Sequence, residues 1–277
     1  VPFWSIKKKR VVKRMLAFSH SRVMHIHDNN RMTVVAEEAR ARFRGALSLS
    51  GDVLTTISSA QGTFLYWLKS TERVRISMDS AMDVHDIEYY RGNVAIAETA
   101  TGCVAHYNAS NLRQLSHRHC KFEHRHHINT LRVFDGHLFV LAYNFGAPSS
   151  IHHSNGLINW TNIGRQSHGL VRYKSSWLVL DSAGLNGPSA LVRLRDRGKR
   201  EVVWSNCTYA RCFLKGLAVQ GDVAVFGVNK VTSRPDRFFV NSSLAYVDLL
   251  SGTTIQILPV DSRGLINTLL SSPRWSA

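Results

Sequence analysis

An all-β ring of repeated units is the fold predicted by this 277-residue sequence. Three observations predict it. One local grammar recurs at intervals of 41, 42, 41, 47 and 48 residues. Each recurrence consists of short apolar stretches separated by Gly, Asp, Asn or Ser turns. Amphipathic stretches of 3.6-residue period are scarce, and residues 37–44 offer no more than one short turn of helix. Short strands, hairpin turns and a unit of this size describe the blades of a β-propeller.

Taken in order, the units open on a basic anchor and an apolar stretch: Arg44-Gly45-Ala46-Leu47, His85-Asp86-Ile87, His127-Ile128-Asn129-Thr130-Leu131, His168-Gly169-Leu170 and Lys215-Gly216-Leu217. A sixth start follows at Arg263-Gly264-Leu265-Ile266. A turn comes next in each complete unit: Ser50-Gly51-Asp52, Arg91-Gly92-Asn93, Asp135-Gly136-His137, Lys174-Ser175-Ser176 and Gln220-Gly221-Asp222. After the turn lies a stronger apolar strand, at 53–57, 94–97, 138–142, 177–180 and 223–226. Third strands are expected at 64–68, 103–107, 190–194 and 244–249. The sixth unit supplies one inner strand within 263–270, and the N-terminal segments 15–19, 22–27 and 32–36 supply three more. Six blades are therefore expected, with the last assembled from both termini so that no sheet edge stays open. No linker divides the chain. Residues 1–10 read as a basic N-terminal arm and 11–277 as a single propeller domain.

The 35 Lys and Arg against 19 Asp and Glu give a formal charge of +16, which draws the chain toward polyanions. Part of that charge is local, in Lys7-Lys8-Lys9-Arg10 and Lys13-Arg14, so nucleic acid is a partner the arm can offer. Aromatic residues do not interleave with the basic ones, which ranks that partner last. No apolar run nears the roughly 18 residues that span a bilayer. Four cysteines, with no Cys-x-x-Cys pair, are too few for a disulfide scaffold. Cys207 and Cys212 are close enough in sequence to bridge, Cys103 reads as a small buried hydrophobe, and a reducing, cytoplasmic setting is the simpler expectation. A chain that begins at Val1 also accommodates a secreted form with a removed signal, and sequons stand at Asn108, Asn159, Asn206 and Asn241.

In a propeller the innermost strands line one central channel, so the six anchors should meet at its mouth. His85, His127 and His168 fall on consecutive units, and neutral imidazoles so placed can hold Zn, Mn or Fe with open positions for substrate. Arg44, Lys215 and Arg263 complete the circle and suit a carboxylate, sulfate or phosphate. Glu98 and Asp181, near the ends of second strands, are candidate general bases or orienters of a ligating histidine. Asn144 and Asn229 lie near the same register and are candidate ligand contacts. The run His117-Arg118-His119-Cys120, then His124-Arg125-His126, is expected as a basic loop at the same mouth. Gly-x-Ser-x-Gly, the P-loop and the dinucleotide-binding glycine pattern do not occur.

The segments around His85, His126-His127-Ile128-Asn129-Thr130-Leu131, Ser167-His168-Gly169-Leu170 with Trp177-Leu178-Val179-Leu180-Asp181, and Phe213-Leu214-Lys215-Gly216-Leu217 resemble an uncharacterised, mostly bacterial group of six-bladed propellers. More distantly the layout is similar to the gluconolactonase, paraoxonase and strictosidine-synthase-like propellers. That resemblance implies a metal or polar site at the channel, commonly calcium held by Glu, Asn and Asp, where this sequence offers histidines. The leading expectation is a metal-dependent enzyme acting on a small anionic molecule, by Lewis-acid lyase or hydrolase chemistry, with an oxygenase as a variant. The alternative is a non-catalytic propeller that binds an acidic peptide or other anion through a basic mouth.

Overall fold

The computed structural model describes residues 14–49, 51–68, 73–78, 83–182, 188–195, 199–205 and 212–271. The basic arm, Cys207 and Asn206 lie outside them. Six four-stranded antiparallel sheets follow one another around an axis. Five blades run in chain order, with innermost strands Arg42–Leu49, Val84–Tyr90, Ile128–Phe134, His168–Tyr173 and Cys212–Gln220. The sixth takes its innermost strand, Thr268–Ser271, from the end of the chain and its other three, Met15–Phe18, Arg22–Ile26 and Met32–Glu37, from the beginning. Leu16 faces Leu270 and Phe18 faces Thr268 across that seam.

Apolar residues of neighbouring blades meet in six clusters, one at each interface. Leu16, Phe18 and Val23 of the closing blade pack with Phe43, Ile57 and Tyr66 of the first. Met15, Met24 and Ile26 pack on its other side with Val225, Leu244 and Tyr246 of the fifth. Burying both faces of each sheet explains why the second strands read as continuous apolar runs, such as Trp177 to Leu180, without alternation. The outermost strands were not legible. Arg200–Ser205 and Thr254–Val260 mix exposed and half-buried residues, so they carry no strong apolar signal. Residues 38–41 form a tight turn closed by Ala41 N–H to the Glu38 carbonyl and are not helical.

Two expectations for the second blade change. Its outermost strand is Gln114–His119, so half of the predicted basic loop is sheet, and only His124–His126 forms a turn, of 3-10 geometry. Val104 pairs with His119. The residues just beyond that pair, Cys103 and Cys120, are joined by a disulfide across 17 residues of chain. Cys103 is therefore a bridging residue and not a free buried thiol, and Cys212 is buried at the start of the fifth blade's innermost strand. Closing a loop of this size stabilises a fold by roughly 3 kcal/mol. A Cys103→Ser, Cys120→Ser double variant is expected to lose about that much in urea unfolding, with the circular dichroism of the folded state unchanged.

The basic mouth of the central channel

Each of the five long innermost strands slips register by one residue near its start. The shifts lie between Phe43 and Ala46, Val84 and Asp86, Ile128 and Thr130, His168 and Leu170, and Lys215 and Leu217. A bulge turns the strand and re-aims its side chains, and here the bulges sit where the strands reach the mouth. The backbones approach so closely that an added Cβ on Gly45 would fall 2.4 Å from Asp86 Cα. A Gly45→Ala variant is accordingly expected to lose about 1–3 kcal/mol of stability through overpacking, read from its thermal midpoint.

The channel is lined by Arg44, His85, Asn129, His168, Lys215 and Asn267, one from each blade, around a cavity of about 30 Å³. Four of the anchors expected at the mouth thus line it. Asn129 and Asn267 take the remaining two positions in the channel. They open identical triplets, Asn129-Thr130-Leu131 and Asn267-Thr268-Leu269, and aligning the repeats on that triplet would have found both. His127 stands two residues earlier, in left-handed conformation at the end of the 3-10 turn, with its ring 4.8 Å from that of His85. Arg263 lies away from the channel, more than half exposed, and pairs with Glu37 at 2.8 Å.

The other predicted site residues are engaged elsewhere. Glu98 is fully buried and is bound by the Arg118 guanidinium and the Thr101 hydroxyl. Asp181 accepts from the Arg165 N–H at 2.8 Å and from Arg200 at 2.8 Å. Asn229 is fully buried; its side-chain oxygen accepts from Ile266 N–H and Ser242, and its amide donates to the Ile266 carbonyl. It fastens the fifth blade to the closing one. Asn144 donates to the Pro148 carbonyl and to Ser150, holding its own loop. These positions sit at strand ends between blades, where polar groups satisfy neighbouring backbone instead of facing the channel.

Charge is concentrated at the mouth. Arg42, Arg44 and Lys215 are joined there by Arg237 and, beside Arg44, Arg234, and burial first, then these neighbouring cations, lowers the pKa of Arg44, Lys215 and Arg237. Burial, reinforced by Arg44 and Arg237, holds Lys215 well below an ordinary lysine. Asp83 is the carboxylate set among them, 3.1 Å from Arg44 and 3.1 Å from His85 Nε2, and those partners keep it below the usual range. Lys215 has no carboxylate within ion-pair distance among the described residues. The Arg44 Nε–H is buried with no hydrogen-bond partner. Four histidines stay neutral here. Burial first, then nearby cations, lowers His20 to about 2 and His127 to about 4, and lowers His85 and His168 well below their usual value. The carbonyl of Gln166 accepts from His168 Nδ1 at 2.8 Å, which places the ring proton there and leaves Nε2 as an acceptor.

The donor set tests the two metal expectations. Among the described residues no group of three or more His, Cys, Asp or Glu side chains comes together in a way that can hold a metal ion. His127 and His168 each pack against Tyr143, which lies between them. Calcium takes six to eight oxygens, yet Asp83 is bound to Arg44 and His85, and Asp86 accepts from Leu131 N–H, Ile87 N–H and Arg132. The described channel residues fit neither ion.

Fold and site together define a six-bladed β-propeller with a cationic channel mouth. No protein-family model matches the chain, and no curated protein matches its sequence. Among solved structures it is similar to a chain of the nidogen/laminin complex, at 11% identity over 92% of this chain and 97% of that one, with TM-score 0.69. It is also similar to regucalcin, a calcium-binding protein of Agrobacterium tumefaciens C58, at 12% identity over 78% and 73%, with TM-score 0.54. A putative 6-phosphogluconolactonase of Bacteroides fragilis matches at 10% identity over 93% and 97%, with TM-score 0.55. At these identities the likeness is one of fold. No described helix is long and apolar enough to cross a membrane.

Proposed function

We propose that this propeller binds a small anionic molecule at the mouth of its central channel. The observation that carries the reading is Lys215: a half-buried cation among Arg44, Arg42 and Arg237, with Asp83 the acid that offsets their charge. Crowding buried cations destabilises a fold. A carboxylate or phosphate bound among them supplies the missing countercharge and accepts from Lys215 and the Arg44 Nε–H. Binding of inorganic phosphate by calorimetry tests this. Lys215→Met removes the charge while keeping the stem, so it is expected to weaken phosphate by at least about tenfold while raising the thermal midpoint of the ligand-free protein. Affinity should also fall as NaCl is added. No heat with phosphate, sulfate or citrate at millimolar concentration would overturn the reading.

A second reading, that the bound anion is hydrolysed, is favoured by His168, whose unprotonated Nε2 belongs to a residue lining the same channel. It makes His168 the general base. A His168→Asn variant that still binds the anion but turns over no anionic ester or lactone distinguishes catalysis from capture. A protein that hydrolyses none of these substrates is a binding module. The Cys103–Cys120 bridge favours an oxidising compartment over the cytoplasm. Mass spectrometry after alkylation without reductant should then find both thiols blocked from modification.

A further inference from the structure

The mouth is divided into two unlike halves. On one side ring contacts run without a break from blade to blade. His85 meets His127 at 4.8 Å, His127 meets Phe145 at 4.8 Å and Tyr143 at 5.2 Å, Tyr143 meets His168 at 5.7 Å, and His168 meets Phe213 at 4.9 Å. All three of the histidines in this arc are held neutral, so the arc carries no charge of its own. On the other side stand the cations Arg42, Arg44, Lys215 and Arg237. The halves meet where Lys215 Nζ lies 5.6 Å from the Phe213 ring and where Tyr143 feels the charges of Arg237 and Arg234. Phe145 is 47% exposed although it packs on His127 and Tyr143. A large apolar ring left half in water at the rim of a charged mouth is a surface with room for a partner ring.

Resting on the anion-binding reading above, we infer that the ligand is an anion joined to a flat apolar body, of the aryl carboxylate or aryl phosphate class. Its acid group enters the cationic half, and its ring packs on Phe145, Tyr143 and Phe213. The cavity inside the mouth, at about 30 Å³, is too small for an aromatic ring, so the body of the ligand stays at the rim where the aromatic arc is. A purely hydrophilic anion such as citrate leaves that arc uncovered. An aryl anion covers it and exchanges Phe145–water contact for ring–ring contact.

The test compares acetate, benzoate and 2-naphthoate, equal in charge, by calorimetry on the full chain. Naphthoate is expected to bind at least about tenfold more tightly than acetate. Phe145→Ala is expected to remove most of that ratio, Lys215→Met to weaken all three, and Leu157→Ala, on an exposed turn of the third blade, to change none. Equal affinity for acetate and naphthoate, with phosphate still bound, overturns the aryl class and leaves the anion site standing. Failure of all three together with phosphate overturns the anion site itself. A naphthoate preference that survives both Phe145→Ala and Phe213→Leu places the apolar contact elsewhere and overturns the aromatic arc as its seat.

Discussion

Ending the chain at Arg263 is expected to abolish the folded ring, although the deletion removes only one described strand. The last segment contributes Leu265, Ile266 and Leu269, all nearly fully buried. Each such side chain is worth roughly 2 kcal/mol of burial, so their sum of about 6 kcal/mol reaches the lower end of the 5–15 kcal/mol that stabilises an ordinary domain. The deletion also strips backbone partners from the N-terminal strands. Asn267 N–H donates to the Phe18 carbonyl at 2.8 Å, and Leu265 N–H donates to His20 Nδ1 at 2.9 Å. Met15–Phe18 would become an open edge with four buried residues, a template for pairing with another chain. Size-exclusion chromatography and circular dichroism should find aggregate or unfolded protein. A monomer with an unchanged thermal midpoint would show that the closing strand is dispensable. The charge-removing Arg263→Ala variant, which loses an exposed pair with Glu37, should differ from wild type by less than about 1 kcal/mol.

That closing blade was readable before any coordinates, and the reason is physical. A ring must bury both faces of every sheet, so each inner and second strand leaves an apolar run, and a tight polar turn must join them. Those constraints repeat at five sites and leave one strand over at one end and three at the other. The outermost strands face solvent on one edge and obey no such constraint; the pairing of Cys103 with Cys120 depends on one of them and so stayed hidden. The site was half legible for a similar reason. Anchors were aligned on residue type, although the apolar residue two places on marks the register: His85 precedes Ile87 as Asn129 precedes Leu131. Counting histidines therefore placed His127 beside His85 and His168, where the backbone puts Asn129. Tyr143, Phe145, Arg234 and Arg237 come from loops after second strands, where no repeat marks a position. Glu98 and Asp181 were chosen for their chemistry, but a carboxylate at a strand end between blades meets an arginine from the outer strand first: Arg118 in one case, Arg200 in the other.

Acid should unfold this protein earlier and more steeply than its carboxylates alone would allow. His20, His85, His127 and His168 are kept neutral first by burial and then by cations: Lys215 for His20 and His168, Arg44 for His85, and both for His127, where Asp83 opposes them. In the unfolded chain each histidine binds a proton near pH 6.5. In the folded chain His127 does so only at about 4 and His20 at about 2. The unfolded state therefore holds more protons below pH 6.5, so stability is complete above that pH and falls as pH drops through it. Asp83 adds to the same trend at lower pH, because its folded value lies under its unfolded one. The slope of unfolding free energy against pH between 6.5 and 4 should correspond to more than two protons, about 2.7 kcal/mol per pH unit or more. Urea titrations across that range measure it. An anion that binds only the folded ring stabilises it by mass action, so saturating naphthoate should move the acid transition to lower pH. A flat stability profile over this range would mean that the histidines titrate alike folded and unfolded, which a buried cationic mouth does not permit.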